Sequence, residues 1–243
     1  MANINITTLD GIDSLRVNTV AQMTQVNQNH CGAYALVAAI GAFGRFPVQV
    51  GGLPIAYQNA GPFPVARNAV LMPTNTYAQL AALVYQVVGI LNLLPNPLVF
   101  PVTPELGNGL NLYNSPAAIA SVAMQIGAPL PQLTVRVDTS AAGLQLLQFY
   151  PNEVQRCQCA VGMANVNETG TAVYALPALN QTQIVCVQAN HNLHWVVRGS
   201  NGQWYDPGTG LMNNQWNVDV VNNTIIAGMN VVYQFSGVWL TIQ

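Results

Sequence analysis

His194-Trp195-Val196-Val197-Arg198-Gly199-Ser200-Asn201-Gly202-Gln203-Trp204-Tyr205-Asp206-Pro207 reads as a β-hairpin. Aromatic and β-branched residues fill its arms, and a Gly- and Asn-containing turn divides them. The length of that turn sets the register. With Gly199, Ser200 and Asn201 as a three-residue loop, Arg198 pairs with Gly202 and His194 falls opposite Asp206. A two-residue Asn-Gly turn sets Asp206 opposite Val197 instead, about 10 Å along the strand from His194 at about 3.4 Å per residue. The longer loop brings imidazole and carboxylate together and is the arrangement expected.

Short runs rich in Val, Ile, Tyr and Trp flank this hairpin, around residues 172–177, 183–188, 193–198, 203–205 and 229–242. They predict an antiparallel sheet over the C-terminal part of the chain. The N-terminal part has helical periodicity instead. From Asn27, the residues Ala33, Leu36, Val37 and Ile40 recur at helical spacing, and Gly41 and Gly44 supply the stop. Asn27 or Asn29 is the expected cap, which puts Cys31 in the first turn. Further helices are expected around 77–93, 115–127 (opening at Ser115-Pro116) and 140–149 (opening at Ser140), and residues 45–76 read as loop. Helices first and strands last predict an α+β fold. No linker divides the chain, so one domain is expected over 1–243: an extended arm 1–24, a mainly helical half 25–150 and a mainly β half 151–243.

The chain has 243 residues, 51% hydrophobic and only 6% charged, against about a quarter charged in soluble proteins generally. Its six basic residues are all arginine, scattered from Arg16 to Arg198, and form no basic stripe, which excludes non-specific nucleic-acid binding. The longest apolar run, Leu80 to Leu94, is interrupted by Tyr85, Gln86, Gly89 and Asn92 and reads as a buried helix, so no membrane span is expected. The N-terminus lacks the basic and apolar regions of a secretory signal, so synthesis in the cytoplasm is expected, with secretion or translocation by another route open. The absence of lysine removes ubiquitin acceptor sites, which would suit a bacterial effector delivered into a eukaryotic cell.

Cys31, His194, Asp206 and Gln25 together supply a thiol, an imidazole, a carboxylate and a side-chain amide. These are the parts of a cysteine nucleophile with its base, its orienting acid and an oxyanion donor. The first turn of a helix favours a thiolate, and Gly32 beside it leaves room for a substrate backbone. Asp206 accepting from one ring nitrogen of His194 fixes the tautomer that offers the other to Cys31. Gln25 precedes the Cys31 helix, with Gln28 as its competitor. His191 is the fallback base. His30 is read as a surface or capping residue. Cys157-Gln158-Cys159 lacks a second ligand pair, so neither a structural zinc nor any cofactor is expected, and all four cysteines are read as free.

Gln25, Cys31-Gly32, His194-Trp-Val-Val and Tyr205-Asp206-Pro207, in this order, resemble the papain-like cysteine peptidases, above all the bacteriocin-processing leader peptidases and papain-like bacterial effector proteases. The resemblance implies a papain-like fold in which a helix carrying the cysteine packs on an antiparallel sheet carrying His and Asp. It also implies Cys31 as nucleophile, His194 as base and later acid, Asp206 as orienter, Gln25 as oxyanion donor, and a peptide or protein substrate. A cysteine peptidase or isopeptidase with an acyl-thioester intermediate is therefore expected. Acyl transferase, transglutaminase or glutamine deamidase activity shares the same chain order, and an inactive binding module of the same fold is the third alternative.

Overall fold

The computed structural model describes residues 29–43, 51–58, 66–89, 114–126, 132–139, 146–147, 150, 152–170, 173–189, 192–213, 216–227 and 231–243. The expected arm 1–24, Gln25, Gln28, His191 and most of the helix expected at 140–149 lie outside the described residues.

In chain order the elements are α1 (Cys31–Gly41), β1 (Leu53–Gln58), β2 (Ala66–Leu71), α2 (Tyr77–Val88), α3 (Pro116–Ile126), β3 (Leu133–Asp138), α4 (Glu153–Val161), β4 (Val166–Thr169), β5 (Thr182–Ala189), β6 (Asn192–Gly199), β7 (Trp204–Asp206), β8 (Leu211–Asn213), β9 (Asn217–Asp219), β10 (Thr224–Ile226) and β11 (Val232–Ile242). Helices dominate the first half and pack on a sheet built mostly from the second, an α+β architecture.

Local chemistry explains where the helices begin. Thr76 and Gln79 exchange side-chain and backbone hydrogen bonds in a capping box at the start of α2. At the start of α3, Ser115 Oγ accepts from Ala118 N–H at 3.0 Å, and the buried Glu153 carboxyl accepts from Ala117 N–H at 2.6 Å. α1 is apolar on every side, and all eleven of its residues are buried. Such a helix has no solvent face and must be covered all round. α2, α3, β5 and β6 pack around it.

Among the described residues the main sheet runs β4-β3-β11-β5-β6-β7-β8, with β10 beside β11 and β9 beyond it. One pair, β3 with β4, is parallel, so the sheet is not antiparallel throughout. α4 connects these two strands, and parallel neighbours need a crossover of this kind. The sequence reading missed both strands and α4. β4 is only Val-Asn-Glu-Thr, too short and polar to register, while Leu133, Val135 and Val137 alternate inward on β3 with Thr134 exposed. The segment expected as a loop at 45–76 contains the β1–β2 hairpin, which buries Ile55, Ala69 and Leu71 in the main core. The strand expected at 172–177 is not one: residues 173–178 carry no strand, and Tyr174 stacks on Phe235 at 4.1 Å between ring centres.

Two apolar layers result. One lies between the helices and the sheet, and a smaller one, with Tyr174, Trp204, Phe235 and Trp239, covers the other sheet face. β11 spans both layers through an irregularity between Phe235 and Trp239, where Gly237 takes φ +80°. A Cβ at Gly237 would lie 2.5 Å from Asp138 Cβ, so this position requires glycine.

Candidate active site

The hairpin that opened the sequence reading forms, with a register two residues from the expected one. Gly199 N–H bonds the Gln203 carbonyl and Arg198 pairs with Trp204, so the loop is Ser200-Asn201-Gly202. Gly202, at φ +80°, supplies the left-handed residue that closes such a loop. Continuing the pairing by one places Asp206 across from Val196, not from His194. Because side chains alternate with period two, this offset keeps His194 and Asp206 on one face as diagonal neighbours. Their side chains bridge the diagonal, and His194 Nε2–H donates to Asp206 Oδ1 at 2.7 Å.

Gly208, in the turn that follows β7, lies beside this pair. Its N–H donates to Asp206 Oδ1 at 2.8 Å, and a Cβ there would come within 3.1 Å of that oxygen and 3.4 Å of His194 Cε1. Tyr233 Oη–H donates to the other carboxylate oxygen at 3.1 Å. Burial works against the Asp206 charge, but the His194 bond and charge and these two donors together hold its carboxyl below the usual range.

Nε2 being committed to Asp206, Nδ1 is the ring nitrogen left to meet Cys31, whose side chain lies close enough to act on the imidazole. Burial pulls the His194 pKa down. Hydrogen bonds and charge from Asp206 and Cys31 outweigh that and leave it pushed up to about 10. The imidazole is thus set to carry a proton when a thiolate and a carboxylate flank it. The His194 side chain is 15% exposed while Cys31 is 1% exposed, so solvent meets the imidazole before the sulfur.

Cys31 is the first residue of α1, where the helix dipole and first-turn backbone N–H groups favour an anion, and no acidic residue in that turn opposes them. Asn27, one of the two expected caps, lies outside the described residues, and Asn29 does not hold the cap position. His30 occupies the cap position and makes no side-chain capping bond. Asn114 caps from a distance instead, its Oδ1 accepting from Gly32 N–H at 2.8 Å. The room beside Gly32 is therefore filled by Asn114: a Cβ on Gly32 would lie 2.5 Å from Asn114 Cβ. His30 is likewise not a surface residue. It is buried and stacked on Tyr85 at 3.7 Å, and burial lowers its pKa, so it is neutral beside the nucleophile.

Asn114, Gly208 and Tyr233 are the site residues the sequence reading missed. Gly208 follows directly on Tyr205-Asp206-Pro207 and was legible as an extension of that motif. Asn114 precedes the Ser115-Pro116 helix start, which drew attention to the wrong helix. Tyr233 carries no local signal. Among the described residues no group of three His, Cys, Asp or Glu side chains could hold a metal ion.

A family model described as Invasion plasmid antigen J, cysteine protease, matches residues 23–243. No curated protein and no solved structure matches the chain.

Proposed function

The chain belongs to the invasion plasmid antigen J cysteine protease family of bacterial effector proteases, and we propose that it cleaves a peptide or isopeptide bond with a Cys31-His194-Asp206 triad on one papain-like domain spanning 1–243. It is a cysteine peptidase acting on protein, and among the described residues no helix is long and apolar enough to cross a membrane. The observation that supports the triad is the single imidazole bonded to Asp206 at 2.7 Å, with the thiol at the head of α1 close enough to act on the same ring.

His194 draws the proton from Cys31, and the thiolate sulfur adds to the scissile carbonyl. The oxyanion is met by the Cys31 N–H and by Gln25, which lies outside the described residues. Gly32 N–H is already taken by Asn114 and is not a further donor. The C–N bond then breaks, the departing amine takes the proton from His194, and a thioester to Cys31 remains. Water, deprotonated by His194, hydrolyses it and restores the thiol. Asp206 keeps Nε2–H engaged throughout and stabilises the imidazolium. The lack of lysine fits action inside a ubiquitinating host cell.

The test is cleavage of host-cell proteins read as new N-termini by mass spectrometry. Wild type should generate them and Cys31→Ala should not. A Cys31→Ala protein that cleaves the same targets sinks the proposal. A target shifted by about 1 Da without chain cleavage would identify a deamidase using the same thiol chemistry.

A further inference from the structure

Nucleophile and base stand on different elements, α1 and β6, so their separation depends on how those two elements are held together. Asn114 belongs to neither, yet it bonds the residue after each reactive side chain. Its Oδ1 takes Gly32 N–H at 2.8 Å, and its backbone carbonyl takes the Trp195 indole N–H at 3.1 Å. Asn114 is 1% exposed, and its own backbone is fixed by a bridge to Gly89 at the end of α2. The fit against α1 is tight enough that only glycine is accommodated at position 32. Resting on the triad reading above, we propose that Asn114 is a positioning residue, a clamp that fixes the Cys31 thiol against the His194 imidazole.

The amide nitrogen of the clamp is idle. Asn114 Nδ2 is buried and donates to nothing, so the hold on α1 comes from Oδ1 alone. This makes aspartate a selective probe: Asn114→Asp keeps the acceptor at the same place, loses no donated bond, and adds a negative charge facing the first turn of the Cys31 helix. Asn114→Ala removes the acceptor and adds no charge. A residue that merely filled space would respond alike to both.

The readout is alkylation of Cys31 by iodoacetamide between pH 5 and 9 in the full chain, followed by mass spectrometry, with the buried Cys186 and the exposed Cys159 as internal references. Wild-type Cys31 should outpace the equally buried Cys186 at pH 6, since only a thiolate reacts and burial pushes the Cys186 thiol up to about 12. Asn114→Ala should slow Cys31 at pH 6 by about tenfold, the effect expected of one lost hydrogen bond, and leave Cys159 unchanged. Asn114→Asp should react within about threefold of wild type at pH 8 and move its inflection to higher pH, because the added carboxylate opposes the thiolate. A fast wild type with an equally fast Asn114→Ala overturns the clamp alone. A wild type whose Cys31 is no faster than Cys186 overturns the triad reading and the clamp with it. If Asn114→Ala does not fold, Asn114→Asp decides: an unmoved inflection overturns the proposal.

Discussion

Replacing Asp206 by asparagine changes one charge and almost no shape. The amide oxygen can still accept from His194 Nε2–H and Gly208 N–H, the two bonds made by Oδ1 at 2.7 and 2.8 Å. Tyr233 Oη, which donates to Oδ2 at 3.1 Å, must turn to accept from the new NH2 instead. What is lost is the negative charge beside the imidazolium. His194 rises from 6.5 to about 10, a change worth about 5 kcal/mol. Asp206 and Cys31 share the upward influences between them. An opposite charge this close moves a pKa by about 1–3 units, so Asp206→Asn should bring the His194 titration down by about 2 pH units, or about 3 kcal/mol. If the transition state feels all of this, kcat/KM near neutral pH falls roughly a hundredfold. The assay is kcat/KM against pH on a target cleaved by wild type. The alkaline limb, where the leaving amine finds no protonated His194, should move toward neutrality by about 2 units. An alkaline limb that stays in place, with activity within threefold of wild type, would refute the assignment of Asp206 as the partner that sustains the imidazolium.

Tyr233→Phe removes one donor to the buried carboxylate and should cost about 1.5 kcal/mol in catalysis, near tenfold in kcat. An unchanged kcat would show that the Tyr233 bond contributes nothing to the site. Gly237→Ala combines a positive φ with a Cβ 2.5 Å from Asp138 Cβ and should destabilise the fold by about 2–4 kcal/mol, read as a lower urea midpoint. A midpoint equal to wild type contradicts it. Stability should also depend on pH. His194 titrates at about 10 in the fold against 6.5 in its absence, so its contribution is complete below pH 6.5 and is lost as pH rises to about 10. Urea midpoints should fall across that window and fall less in Cys31→Ala. A flat profile would contradict the charge arrangement.

Where a sequence signal is local, it was legible. Ser115-Pro116 marks a helix start by chemistry within one turn, and α3 begins where it says. The α1 helix was legible from its apolar spacing, but its cap was not, because the acceptor for Gly32 N–H comes from Asn114, far away in sequence. The β1–β2 hairpin was hidden by its Pro, Asn and Gly content. Its strands exist because helices cover Ile55 and Leu71, a tertiary cause. The His–Asp pairing was legible as residue types on adjoining strands. The register was not, since it turns on whether Asn201 or Gly202 ends the loop, a choice made by one backbone dihedral. Both three-residue readings put the two side chains on the same face, which is why the pair survives the error.

The complete burial of α1 ties the reactive thiol to the most protected part of the molecule. A nucleophile on a surface loop can be displaced while the rest of the protein stays folded. Here Cys31 heads a helix with no solvent face, so the amides of α1 should exchange with deuterium only when the whole molecule opens. Loss of activity on heating and loss of the fold should then be one event, with no stage at which an intact protein carries a dismantled site.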